Sequence, residues 1–243
     1  MTQFNYHKFK NENALPPGPD CERKRCMKLV NRIASICNQR EWDSGTPFML
    51  DNPDGSVCYC RCFSSYFPYL TLIKIQGGEG ERRIDFIQLG NIVMACGKDL
   101  VWKPVKVDFC NGISAVLRMV RIAHTGLFSL TAAEDQLILI KDGTGNKKLV
   151  PALALKVGDI LFESYSPQRE VVVTAITGLT FTEIAYQIGT EEPLDSLDGH
   201  LISANFIVVA DFAVQVAYIS GQLDESWLVS DLDERLCHHP PIE

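Results

Sequence analysis

The chain has 243 residues, 46% of them hydrophobic and 22% charged, with a formal net charge of −7. That length can bury a sizeable core, as one large β-domain with an appendage or as two small domains. The acidic balance excludes a general nucleic-acid binder, because no basic surplus exists to neutralise phosphates. No apolar run approaches the roughly 20 residues that span a bilayer. The opening residues, Met1-Thr2-Gln3-Phe4-Asn5-Tyr6-His7-Lys8, lack the apolar segment of a signal peptide. The expected location is therefore cytoplasmic, or outside the cell by a non-classical route.

Residues 1–19 end in Leu15-Pro16-Pro17-Gly18-Pro19, a helix-incompatible stretch that reads as a flexible tail. Residues 20–56 form a Cys-rich helical segment. Asp20 suits an N-cap, and Cys26, Leu29, Val30, Ile33, Ile36 and Cys37 recur at the spacing of one helical face. Arg23, Lys24, Arg25, Lys28 and Arg32 lie on the other face, either as a solvated surface or as a docking patch for an acidic protein partner. Six of the nine cysteines, Cys21, Cys26, Cys37, Cys58, Cys60 and Cys62, fall between residues 21 and 62. Three arrangements fit them: disulfides to the following loop, a structural zinc site, or a cluster of buried free thiols. The alternation of Cys58, Cys60 and Cys62 suits one face of a strand rather than a C-x-x-C zinc pattern.

After the turn signal Asn52-Pro53-Asp54-Gly55 the pattern becomes predominantly β, and residues 57–216 are expected to form the main domain. Gly77-Gly78-Glu79-Gly80 precedes no helix pattern and reads as a hairpin turn, so no phosphate-cradling loop and no cofactor are expected. Ile87-Gln88-Leu89-Gly90-Asn91-Ile92-Val93 echoes Leu155-Lys156-Val157-Gly158-Asp159-Ile160-Leu161. A β-branched run follows each copy, Val101–Val107 and Val171–Ile176. Gly and Asn tolerate positive φ, so each copy suits a tight turn entering a strand. Two such units predict a mostly β, pseudo-twofold fold. The last segment, 217–243, is acidic, with Trp227 and Leu228 among its charges, and reads as a short helix or an ordered tail.

His200-Leu201-Ile202-Ser203-Ala204-Asn205-Phe206-Ile207-Val208-Val209-Ala210-Asp211 resembles the closing block of the Hedgehog/intein (Hint) family. That block opens on a His, continues through an Ala-Asn-Gly turn and an apolar strand, and closes on His-Asn. Phe206 stands in the place of the Gly, and Ala210-Asp211 in the place of His-Asn. Leu149-Val150-Pro151-Ala152 with Leu155 to Leu161 resembles the family's L-x-x-A-x-x-L-x-x-G-D-x-L segment. Leu130 to Leu139 resembles its T-x-x-H block, with Thr131 present and Gln136 in the place of the His. Cys62-Phe63-Ser64-Ser65 resembles the start of the nucleophile block, with Tyr66-Phe67-Pro68-Tyr69 where G-T-x-V would follow. The resemblance runs from about residue 62 to about residue 216 and implies a Hint-like fold with a short N-terminal helix added.

It also implies a catalytic set of Cys62, Thr131 and His200. Cys62 would attack the Arg61 carbonyl to form a thioester, Thr131 would polarise that amide, and His200 would orient the C-terminal side. Gln136 can donate a hydrogen bond but cannot act as a general acid, and Asp135 is a poor substitute. An Asp at 211 is a poor candidate for the cyclisation that frees the downstream segment, and Ala210 moves no proton. General acid–base help is typically worth about 10²–10⁴-fold, so losing two such groups leaves slow, single-turnover self-cleavage at Arg61–Cys62 at most, and no splicing. The alternative is an inactive Hint scaffold serving as a protein-interaction or secreted-effector module. Each candidate also has a plain structural reading: Cys62 as a core thiol, Thr131 as an ordinary strand residue, His200 as a turn residue closing Asp198-Gly199.

Overall fold

The computed structural model describes residues 48–51, 58–61, 66–77, 80–114, 117–164, 169–219 and 222–237. The expected helix over 20–37, Cys62 and the last six residues lie outside them. Strands β1 (Phe48–Asp51) and β2 (Cys58–Arg61) form an antiparallel hairpin of their own, with Phe48 opposite Arg61.

The body consists of two copies of one strand order. The first contains β3 (Phe67–Pro68), β4 (Leu72–Lys74), β5 (Glu81–Arg83), a 3-10 turn (Ile84–Phe86), β6 (Ile92–Cys96), β7 (Lys103–Ser114) and β8 (Leu117–His124). The second contains β9 (Leu130–Ala133), β10 (Leu137–Lys141), β11 (Lys147–Pro151), a 3-10 turn (Ala152–Ala154), β12 (Ile160–Phe162), β13 (Glu170–Phe181) and β14 (Ile184–Thr190). The hairpin β15 (Leu201–Ala204) and β16 (Ile207–Ala210), helix α1 (Phe212–Ile219) and helix α2 (Leu232–Cys237) complete the chain. Gly77 and Gly80 lie in the β4–β5 hairpin, as their sequence implies. No described helix is long and apolar enough to cross a membrane.

The two copies are interlocked by exchange of their long strands. β7 pairs with β14 and β8 with β13, each antiparallel, so the hairpin of one copy lies along the hairpin of the other. The short opening strands exchange too, β3 pairing with β14 and β9 with β8. Neither copy satisfies its backbone alone, and buried N–H and C=O groups must be paired, so each copy requires the other. Hydrophobic residues from both copies and from β15 and β16 share one core, including Ile73, Val93, Val107, Ile122, Ile140, Leu161, Val173 and Val209.

The repeated motif occupies equivalent turns with the same hydrogen bonds. Gly90 N donates to Val107 O at 2.7 Å and Val107 N to Asn91 O at 2.8 Å. In the second copy Gly158 N donates to Val173 O and Val173 N to Asp159 O, both at 2.9 Å. The Asx side chains match as well: Asn91 Oδ1 accepts from Gln88 N, and Asp159 Oδ2 from Lys156 N. Gly90 and Gly158 have φ of +84° and +99°, a region that penalises any Cβ. We therefore expect Gly90→Ala and Gly158→Ala each to lower stability by about 1–2 kcal/mol. Gly143→Ala, at a turn glycine without positive φ and with open space around its Cβ position, should change it by less than about 0.5 kcal/mol. Urea midpoints for the three variants check this; a penalty at Gly143 equal to the other two would contradict it.

Candidate functional site

The chemistry-bearing residues gather where the β15–β16 hairpin feeds α1. The hairpin turns through Asn205 and Phe206, both with positive φ (+45° and +70°), as a two-residue turn matched to strand twist requires. Asn accepts this conformation readily, whereas a bulky Phe is strained there. Phe206 is retained by burial: its ring packs 5.0 Å from Phe128, and its carbonyl accepts from Ser164 N at 2.7 Å. Asn205 ties the turn to the first copy, its Oδ1 accepting from Leu72 N at 2.8 Å and its N donating to Leu72 O at 2.9 Å.

At the end of β16, the Asp211 carboxylate is buried and accepts from four donors. Thr190 N and Thr190 Oγ1 reach Oδ2 at 2.9 Å each, and His200 Nδ1 reaches it at 3.1 Å. Val214 N donates to Oδ1 at 3.1 Å, which makes Asp211 the N-cap of α1. His200 lies in the turn that closes Asp198-Gly199, its N donating to Leu197 O at 3.1 Å, and its side chain is fully buried. Burial opposes its protonation, but the charge of Asp211 and its hydrogen bond outweigh this, and the net result is a raised imidazole pKa. The backbone of Pro193 also favours the charged imidazole by hydrogen bonding. Thr190 has one hydroxyl proton and two acceptors in reach, Asp211 Oδ2 and the Gly199 carbonyl at 2.8 Å.

The neighbouring backbone is equally occupied. Asp211 N donates to His200 O at 2.9 Å, and Asp211 O accepts from Gln215 N at 3.2 Å. The Ala210 carbonyl accepts from Gln136 Nε2 at 2.8 Å. Gln136, in the place of the family's His, thus reaches the closing block as a neutral donor. Gln215 of α1 crosses to the same turn, accepting from Leu137 N and donating to Asp135 O.

Of the three expected catalytic residues, Cys62 lies outside the described residues. Thr131 sits on β9 opposite Arg121, half-buried. No described hydrogen bond joins it to His200, whose Nδ1 faces Thr190 and Asp211. Counting back three from Gln136 reaches Ala133, whose carbonyl accepts from Gln136 N at 3.0 Å, so an apolar residue holds the T-x-x-H spacing. Among the described residues no group of three or more His, Cys, Asp or Glu is arranged to hold a metal ion. Sequence reasoning missed Thr190 and Gln215. Gln215 carried a signal, a lone polar residue in the apolar run Phe212-Ala213-Val214-Gln215-Val216-Ala217.

Solved structures of inteins match this fold of two interlocked copies. A DnaB intein from Synechocystis sp. PCC 6803 superposes with a TM-score of 0.50 at 14% identity, over 61% of this chain and 99% of that chain. An intein from a hyperthermophile gives a TM-score of 0.50 at 14% identity, over 60% of this chain and 99% of that one. The chain carries an intein-like Hint fold. No protein-family model matches the sequence, and comparison with curated proteins finds no match.

The network of this Hint fold has a pH signature. His200 has a raised folded pKa, so its pairing with Asp211 adds stability that is complete below the ordinary value of about 6.5 and is lost as pH rises through the folded value. His124 has a lowered pKa because burial disfavours its charge, although Glu163 pulls the other way. An imidazole titration by NMR should place His200 above the ordinary value and His124 below it. Asp211→Asn should bring His200 down and leave His124 unmoved. Asp211→Ala, which removes the cap and strands a buried partner, should cost about 3–5 kcal/mol by chemical denaturation, more than Asp211→Asn. Equal costs would exclude the cap.

Proposed function

We infer that this Hint-fold chain is a binding scaffold whose closing block remains joined to the residues after it. The observation that carries the reading is the fourfold engagement of Asp211. Release at this position would require the side chain of residue 211 to turn onto its own carbonyl carbon, with a donor stabilising the oxygen and an acid protonating the departing nitrogen. The carboxylate instead points forward onto α1 and sideways onto Thr190 and His200. The carbonyl is engaged in the first helical hydrogen bond, and Ala210 supplies no proton. Phe212, the next residue, carries no nucleophile and stacks on Phe109 with centroids 4.0 Å apart. The scaffold reading leaves the β-body as a surface for a protein partner.

A second reading, slow self-cleavage at Arg61–Cys62 through a thioester, is favoured by one contact. The Tyr66 carbonyl, four residues after Cys62, accepts from Ala133 N at 2.9 Å, so the chain after Cys62 enters beside the central block. As the Cys62 sulfur bonds to the Arg61 carbonyl carbon, the C–N bond would break and the thiol proton would pass to the departing nitrogen without acid help from Gln136; water would then hydrolyse the thioester, or an added nucleophile would take the acyl group.

Intact mass after incubation with hydroxylamine or dithiothreitol separates the readings. The scaffold reading expects the full-length mass throughout, and also in Asp211→Asn, where the amide can still cap α1. A fragment pair split before Cys62 that vanishes in Cys62→Ala would establish the second reading. A break after residue 211 would overturn both accounts of the closing block.

A further inference from the structure

The two copies differ in what covers their 3-10 turns. In the second copy the turn Ala152–Ala154 is covered by the C-terminal segment. Arg235 of α2 donates from Nη1 to Asp159 Oδ2 at 2.7 Å and from Nη2 to Asp159 Oδ1 at 3.3 Å, while its Nε is held by Asp231 at 2.8 Å. Val229 and Leu232 pack into the core beside Ala152, Ala154 and Leu155. Ala154 is completely buried as a result.

In the first copy the equivalent turn is Ile84–Phe86, and the residue matching Ala154 is Phe86, which is 58% exposed. Leu89 and Leu70 beside it are 57% and 53% exposed. Arg83 joins this face together, its guanidinium 5.0 Å from the Phe86 ring and 5.5 Å from that of Tyr69. An exposed Phe thus stands where the other copy has a small Ala under a cover, while the apolar residue three positions on is exposed in both copies, Leu89 at 57% and Val157 at 66%.

We propose that residues 20–37 dock on the face formed by Leu70, Phe86 and Leu89, covering the first copy as the C-terminal segment covers the second. Three observations select this occupant. The segment has an apolar row, Leu29, Val30, Ile33 and Ile36, at the spacing of one helix face. Its charge suits the acidic remainder of the chain, since residues 1–47 hold eight Lys or Arg against five Asp or Glu and the rest 15 against 25, while on the face itself Arg83 is already paired with Asp85. It is also within reach. Phe48 pairs with Arg61, so the β1–β2 hairpin returns the chain to where it left. Residues 38–47 and 62–65 then connect the segment to Tyr66, and about 14 extended residues span up to about 46 Å. Tyr69 and Leu70 follow directly, so the tether is anchored at the edge of the face.

The test is a photo-cross-link in the full chain, with benzoylphenylalanine in place of Leu89 and equal parts of light and isotope-heavy protein mixed. The expected product joins position 89 to a peptide within residues 20–37 of the same chain, and Ile33→Asp abolishes it. Benzoylphenylalanine in place of the exposed Val101 should give no such product. The His200 imidazole resonance reports that each variant is folded. A light–heavy product would assign the face to a second copy and overturn the proposal. So would the absence of any product with residues 20–37, or a product that survives Ile33→Asp.

Discussion

The buried carboxylate of Asp211 is the interaction on which the C-terminal half of the structure depends. Removing a carboxylate from water is costly unless hydrogen bonds and a counter-charge replace the lost hydration. Here Thr190, His200 and the first turn of α1 supply both. The same contacts fix three elements relative to one another: the end of β14, the start of β15 and the start of α1. An acid at this position is therefore not simply a lost nucleophile. It is the residue type that can satisfy a helix N-terminus, a buried imidazole and a hydroxyl at once.

A similar exchange has occurred at Gln136. A histidine there would supply a proton to a departing nitrogen. The glutamine instead keeps a neutral donor on the Ala210 carbonyl, and its own carbonyl accepts from Ala152 N at 2.8 Å. Gln215 answers from α1 by holding Asp135 and Leu137. The Ala210 carbonyl and both backbone groups of Asp211 are hydrogen-bonded at this junction. Self-processing needs strain, a mobile proton and a polarised bond, all of which are unfavourable in a resting fold. The hydrogen bonds of this network add stability at the junction.

Much of the fold was legible in the sequence because its determinants are local. Gly90-Asn91 and Gly158-Asp159 declare a positive φ and an Asx hydrogen bond by residue type alone, and both turns have them. The β-branched runs mark β7 and β13, though not the exchange of partners between the copies, since strand pairing is set by contacts far apart in the chain. The site was legible only in part. His200 and Asp211 could be found from their block, but Thr190 could not: it is one Thr at the end of a strand, and only the register of β14 carries it to the carboxylate. Thr131 shows the opposite case, a residue with the right name two positions before the spacing that its motif requires.

Phe206 shows how the fold accepts a bulky residue at a strained turn. A two-residue hairpin needs both central residues at positive φ, and glycine meets that demand most cheaply. Strain of this kind costs about 1–3 kcal/mol, and burying a Phe side chain returns about 1.5–3 kcal/mol. Packing on Phe128 therefore cancels the backbone cost without altering the register between Ala204 and Ile207. The architecture constrains backbone geometry and burial at this turn, and it is indifferent to which side chain supplies them. Chemistry is less tolerant, because proton transfer needs one particular group at one distance.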